Sequence, residues 1–488
     1  MIFPQRSLEK LGRDLLRRMA GGVRAARGRG RPVLASLTLP LPAGIDPRAP
    51  ASAAQRRGER HFLWSRRAPS PLVLAAMGAA VSVRVDASGL SVRDAGGREI
   101  SLGPVPRGRF SAAERARAWA IEGALGDRAA GRREPRFVGG FAFSPRGRRA
   151  GAFPAALLWI PRVQIVRDAR GTRLTLCCLT RHDDDPAALA EDLLVHLDAA
   201  NKPFFANGSE AGGVLRLSAD PPPAAWLASA ERARRLIGSG DFEKIVLARR
   251  CRVEGARPFD PIALHARLAS QFPSCFAFAL GEGDDALVGA TPELLVRRTG
   301  RLLRSGSLAG SIARGQTPTD DRRLARALLE SKKEQAEHEI VLRAIREALA
   351  PRCRTLDVPA TPRIVRLSNI QHLYTPVTGT LHSPEPLLSL VAALHPTPAV
   401  GGHPRASALR AIHALEPFDR GWYAGPVGWI DAAGDGEFAV AIRSARIQAA
   451  HATLCAGAGI VQASDPKAEL GEVQTKLQAL LDALEGAP

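Results

Sequence analysis

From Pro32 to about Asp220 the chain consists mostly of short apolar runs separated by turn residues. Segments such as 80–85, 137–143 and 173–179 are rich in Val, Leu, Phe and Thr and are bounded by Gly, Pro or Asp, which is the pattern of strands. Stretches with helical spacing interrupt them near 111–125 and 186–200. The proline-rich joint Ala219–Ala225, ADPPPAA, is the clearest internal boundary. Beyond it the periodicity predicts a helix over 226–237 and a strand over 244–252 that follows a Gly-Ser-Gly-Asp turn. Further strands are predicted over 275–280, 287–289, 293–298, 425–430, 438–444 and 451–456, and long helices over 321–350, 386–394, 406–415 and 468–484. Strands meet strands through tight turns, as at 431–436, which argues for antiparallel pairing with helices packed outside, an α+β arrangement.

The first thirty residues stand apart. Leu8, Leu11, Leu15 and Met19 recur at helical spacing among Arg6, Arg13, Arg17, Arg18, Arg24, Arg27 and Arg29. They predict a basic amphipathic helix on the surface, followed by a flexible Gly/Arg tail. A presequence would also be Arg-rich and amphipathic, but Glu9 and Asp14 count against it. Contact with anionic lipid is a third reading. No secretory signal is visible, because arginines interrupt every apolar candidate. The expected division is an extension over 1–30, an N-terminal half over 31–220 and a catalytic half over 221–488.

Composition narrows the class. With 488 residues, 45% of them apolar and 24% charged, the chain is globular rather than disordered and buries a core without staples. The net charge of +20 favours anionic partners, from nucleic acid to small polycarboxylates. Aromatics at 5% are too few for a binder that stacks bases, and the basic residues are spread along the chain. A nucleic-acid-associated protein is therefore the weaker alternative. No run reaches the length of a membrane span. Six cysteines without CxxC spacing imply reduced thiols and a cytoplasmic protein.

Several familiar sites are missing. GxxxxGK[ST], HExxH and GxSxG do not occur, and the glycine-rich strings SLAGSIARG and AGAGIV lack the context of a nucleotide-binding GxGxxG. The carboxylates are more telling. SKKEQAEHEIV sets Glu334 and Glu337 three apart on a predicted helix, with Glu330 one turn before them. AELGEVQTK does the same with Glu469 and Glu472. Two helices presenting two carboxylates each suit one oxygen-rich Mg²⁺ site. The same spacing also serves solvated surface pairs, and Glu472 with Lys476 fits that reading.

Together, the strings FEKIVLAR, GATPELLVRR, SLAGSIARG, SKKEQAEHEIV, QHLYTPVTGT, LHPTPAVGGHPR, EPFDRGWYAGPVGW, GEFAVAIRSA, CAGAGIV and ELGEVQTK resemble the chorismate-utilising enzymes, the family of isochorismate, salicylate, anthranilate and aminodeoxychorismate synthases. They follow the family's order over about 250 residues. The N-terminal half resembles it more loosely, through VLASLTLPLP, GIDPRAP and FVGGFAFSP, and residues 1–30 have no counterpart. The resemblance implies one large α+β unit in which two stacked antiparallel β-sheets are flanked by helices, with the site between them.

It also implies roles. Lys244 stands where the hydroxyl-transferring members carry the base that activates water, and Glu293 resembles the acid that protonates the departing hydroxyl. Glu337 and Glu472 match Mg²⁺ ligands, with Glu334 and Glu469 as supporting carboxylates. Gly310 and Ser311 match a loop at the ring carboxylate of chorismate. Arg443, Tyr423, Gly457 and Gly459 match a clamp on the enolpyruvyl carboxylate, and Lys476 is a further substrate contact. His372 resembles the histidine beside the ring. The implied activity is Mg²⁺-dependent conversion of chorismate to isochorismate by a monomer. The menaquinone-pathway members look most similar; siderophore-pathway and salicylate-forming members are the alternatives.

Overall fold

The computed structural model of the chain describes residues 5–42, 44–68, 70–103, 108–126, 133–145, 153–201 and 216–486. Two large antiparallel sheets stack face to face. The first runs, edge to edge, through Val33–Leu41, Gly171–Thr180, Val163–Asp168, Leu72–Met77, His61–Arg66, Phe276–Glu282, Asp285–Thr291, Ser444–Gln448, His451–Ile460, Lys244–Glu254 and Arg216–Asp220. The second runs through Cys353–Asp357, Ile370–Leu381, Leu302–Ala313, Leu294–Thr299, Gly436–Val440, Pro426–Ile430, Phe137–Phe141, Ala156–Ile160, Val81–Asp86 and Gly89–Asp94. Both halves of the chain contribute to both sheets. The seams are Ser65 opposite Ala277 in the first sheet and Gly140 opposite Val427 in the second.

Alternation along the strands sends apolar side chains into the space between the layers. Phe62, Trp64 and Leu74 from one sheet meet Val138, Trp159, Val427 and Trp429 from the other. One carboxylate is fixed in this apolar layer. Glu437 Oε1 accepts from Trp64 Nε1 at 3.0 Å, Arg66 Nε at 3.0 Å and Trp429 Nε1 at 3.2 Å. Its Oε2 accepts from Arg297 Nε at 2.7 Å. Burying an ion this deep is tolerable only when its lone pairs are filled, and here they are filled from both sheets.

The structure corrects three expectations about elements. The N-terminal helix does not fray into a tail: Gln5–Arg29 is one helix. Leu11, Leu15, Met19, Val23 and Ala26 are buried, the first three in a cluster with Ile165, Leu176 and Leu193. Gly22 lets it close on the sheet, since a Cβ there would overlap Thr180. Second, the long helix over 321–350 is two helices, Pro318–Glu330 and Lys332–Leu349. Ser331 caps the second by accepting from the Glu334 amide, the Ser-x-x-Glu arrangement of a capping box. The break removes Glu330 from the acidic face and leaves it exposed. Third, the strand over 438–444 is two strands. Gly436–Val440 belongs to the second sheet and Ser444–Gln448 to the first, so residues 441–443 carry the chain across the gap.

Candidate active site

That crossing builds one wall of a cavity between the sheets. Arg443 sits at the crossing in the left-handed region, φ 49°, an unfavourable conformation for a residue with a Cβ. Its guanidinium projects into the cavity, where Nη2 meets His372 Nε2 at 3.0 Å and Nη1 donates to Asn369 Oδ1 at 3.3 Å. Burial first, and then the Arg443 charge, hold His372 well below the usual imidazole range, so it is a neutral acceptor for this arginine.

Of the residues singled out in the sequence, Glu293, Gly310, Ser311, Glu337, His372, Tyr423, Arg443, Gly457, Gly459, Glu472 and Lys476 line this one cavity. They come from both sheets and from two helices. Gly310 and Ser311 lie on strand Leu302–Ala313 rather than in a loop, at a bulge against strand Ile370–Leu381. Gly310 takes φ 81° there, and Ser311 turns toward the helices. The Ser311 amide donates to Glu334 Oε2 at 3.0 Å and its hydroxyl to Glu472 Oε1 at 2.9 Å.

Lys244, Glu334 and Glu469 stand behind that wall. Lys244 is wholly buried, and its Nζ lies 2.9 Å from Glu337 Oε1. Among the described residues it makes no hydrogen bond of good geometry. A Cβ on Gly459 would overlap Glu337 Oε1, so glycine is what lets strand and helix approach. Lys333 Nζ bridges Glu334 Oε1 at 2.9 Å and Glu469 Oε1 at 2.6 Å, tying the two acidic helices together. Lys476 Nζ pairs with Glu472 Oε1 at 2.5 Å and donates to the Gly457 carbonyl at 3.0 Å.

Three of these carboxylates differ in character. Burial raises Glu334 and pushes Glu469 up to about 7. Burial also acts on Glu472, but the Lys476 charge and hydrogen bonds from Lys476 and Ser311 outweigh it and hold that carboxylate below its usual range. Among the described residues no three His, Cys, Asp or Glu side chains converge closely enough to hold a metal by themselves.

Glu293 precedes strand Leu294–Thr299, its amide bonded to Thr291 Oγ1 at 3.2 Å. Burial pushes its carboxyl up to about 7, against the lowering effect of Lys244 and of Thr397. Thr397 Oγ1 donates to Glu293 Oε1 at 3.4 Å. Sequence reasoning quoted the segment holding Thr397 without assigning it a part. Lys333, Asn369, Glu416 and Arg420 were also missed; a short polar side chain within an apolar Pro/Gly string is the sort of signal available.

The six cysteines are unpaired and buried. Among the described residues no helix is long and apolar enough to cross a membrane.

A family profile described as "Chorismate binding enzyme" matches residues 21–485. The chain is 36% identical over 355 residues to "Isochorismate synthase MenF" of Bacillus subtilis, which covers 72% of this chain and 75% of that protein. It is 40% identical over 362 residues to "Salicylate biosynthesis isochorismate synthase" of Pseudomonas aeruginosa, covering 72% of this chain and 74% of the relative. Among solved structures, that of MenF, the menaquinone-specific isochorismate synthase from Escherichia coli, superposes with a TM-score of 0.76 at 26% identity, covering 93% of this chain and 95% of that one.

Proposed function

The chain belongs to the chorismate-binding enzymes, and from that premise we propose that it is an isochorismate synthase, adding water at C2 of chorismate as the C4 hydroxyl leaves. The observation that carries this reading is the pairing of Glu293 on the cavity wall, its carboxyl pushed up to about 7, with Lys244 buried directly behind that wall against the cavity-lining Glu337. A buried amine beside a cavity supplies a base for water. A carboxyl that keeps its proton near neutrality supplies an acid for a leaving hydroxyl.

The substrate is a dicarboxylate, and the cavity has cationic groups for it. Arg443 offers a planar fork to the enolpyruvyl carboxylate, held in place by Asn369 and the neutral His372. Tyr423 and the backbone at Gly457 and Gly459 complete that end. The Gly310–Ser311 bulge faces the ring carboxylate. Glu337 and Glu472 are the residues that would hold Mg²⁺. Their places on two helices and the contact of Ser311 with Glu472, with no third His, Cys, Asp or Glu converging on them among the described residues, suit an ion that keeps several waters and one or two protein carboxylates. When bound, Mg²⁺ supplies positive charge for the ring carboxylate. Lys333 holds Glu334 and Glu469 behind it.

Lys244 takes the proton from the incoming water and Glu293 gives its proton to the departing oxygen, so water consumed and water released balance. Likeness to the Escherichia coli structure supports menaquinone biosynthesis as the destination. The deciding experiment is incubation of the protein with chorismate and Mg²⁺, with isochorismate, salicylate, anthranilate and pyruvate resolved by chromatography. Isochorismate alone is expected. Salicylate with stoichiometric pyruvate would reassign the chain to the salicylate-forming branch, and anthranilate would overturn the water-activating role of Lys244.

A further inference from the structure

Strand Lys244–Glu254 is paired along one side by His451–Ile460, but its other side is not fully paired. Gly402–His403 covers Lys244 and Ile245, and Arg216–Asp220 covers Arg250–Glu254. Between them the Val246 carbonyl and the Ala248 amide face no strand. Buried backbone groups are almost always partnered, so the partner here identifies something built for the purpose.

That partner is an ion pair. Glu416 ends helix Arg405–Leu415 and Arg420 follows four residues later; both are buried. Arg420 Nε donates to Glu416 Oε2 at 2.8 Å. Arg420 Nη2 donates to the Val246 carbonyl at 2.7 Å, and the Ala248 amide donates to Glu416 Oε1 at 2.7 Å. The remaining nitrogen, Nη1, donates to the Val400 carbonyl at 2.7 Å. Phe143 covers the guanidinium at 4.4 Å.

The two carbonyls held by Arg420 belong to cavity-lining residues, Val246 and Val400. Val246 is two residues from Lys244 on the same face of the strand. Val400 closes the turn that begins at Thr397, the donor to Glu293. One guanidinium thus joins the strand that carries the amine to the turn that contacts the acid.

We propose that Glu416 and Arg420 are positioning residues that set where the strand carrying Lys244 stands relative to the turn that contacts Glu293, a role that rests on the acid and base reading above. The fork is what matters, because a lysine cannot reach both carbonyls and Glu416 at once.

The test is Arg420→Lys, followed by steady-state kinetics against pH, with circular dichroism and the thermal midpoint confirming the fold. A displacement of about 1 Å costs on the order of 10²-fold, so kcat should fall by that order with KM little changed. Thr397 is one of the groups holding the Glu293 carboxyl down, so the limb of kcat/KM that falls with rising pH should move upward. Thr397→Val, which removes one hydroxyl and leaves the ion pair intact, should move the same limb in the same direction and serves if Arg420→Lys does not fold. Lys244→Ala and Glu293→Gln are run alongside. Wild-type turnover in those two would overturn the acid and base reading itself. Their loss of activity beside a folded Arg420→Lys with wild-type kcat, or an unmoved limb in Thr397→Val, would overturn the positioning role alone.

Discussion

Lys244 Nζ lies 2.9 Å from Glu337 Oε1, joining a strand of the first sheet to a helix that covers the second. The amine proposed as base and a carboxylate proposed as metal ligand are thus held in direct contact, behind a glycine that admits no side chain. The chemistry proposed for the site depends on both groups.

Lys244→Ala and Glu293→Gln should each lower kcat by ~10²–10⁴-fold, with smaller effects on chorismate binding. Ammonia brings its own basicity, so adding it to Lys244→Ala should yield some aminated product. Near-wild-type turnover in either variant is the outcome that removes the assignment.

Stability should carry the signature of Glu293. Burial pushes this carboxyl up to about 7, above its ordinary value of 4.5, so between those values the folded chain keeps a proton that the unfolded chain has released. Its contribution is fully present below about pH 4.5 and is lost as pH rises through about 7. His61, His265 and His372 are held low by burial and act in the opposite sense, so the comparison is with Glu293→Gln. Relative to wild type, that variant should gain in thermal midpoint from pH 4.5 to pH 7. A difference that does not vary over this range would refute the buried, protonated acid.

Cation dependence should follow the two carboxylates at the cavity. Glu337→Gln and Glu472→Gln should each weaken Mg²⁺ binding, read by calorimetry as well as by the Mg²⁺ concentration at half-maximal rate. High Mg²⁺ should restore part of the lost activity. Glu330→Gln, on the separate helix, should leave both readouts unchanged.

Arg443→Lys keeps the charge and loses the fork, and it also loses the contacts to His372 and Asn369. A marked rise in KM for chorismate with an intact circular dichroism spectrum is expected. Wild-type kinetics would mean that another group holds the enolpyruvyl carboxylate.

The N-terminal helix should behave as core. Leu15 is fully buried, and Leu15→Ala should cost about 2–5 kcal/mol in urea unfolding. A change within experimental error would show that the helix is peripheral to stability.

Much of this was legible in the residues, and the gaps have physical causes. Apolar, β-rich runs bounded by turn residues located strands such as Gly171–Thr180 and Lys244–Glu254, because strands buried over most of their length need apolar side chains at successive positions. The ordered strings pointed to the site residues, and the structure gathers eleven of them around one cavity. What local pattern could not reveal was how far each element extends. Ser331 breaks a continuous helical period because its capping hydroxyl competes with the helix. Residues 441–443 leave one sheet for the other without a glycine to mark the turn. The Gly/Arg end of the first helix was read as loose because glycine is a poor helix former; close packing of Gly22 against Thr180 reverses that preference. Arg420 escaped notice because its importance lies in which carbonyls it meets, and these are 20 and 174 residues away in sequence.

The interleaving of the chain in both sheets also bears on how the protein is made. Strand His61–Arg66 leaves the ribosome early, yet its neighbour Phe276–Glu282 follows roughly 200 residues later, ~10–40 s of synthesis at ~5–20 residues per second. During that interval the early ribbon has an open edge lined by Phe62 and Trp64, the kind of edge that recruits a neighbouring nascent chain. Glu437, which must find Trp64 and Arg66, is synthesised later still. Poor shielding of that edge during translation should therefore lower the yield of this protein in a cell, as should slower synthesis or crowded polysomes, without any change in the stability of the finished molecule.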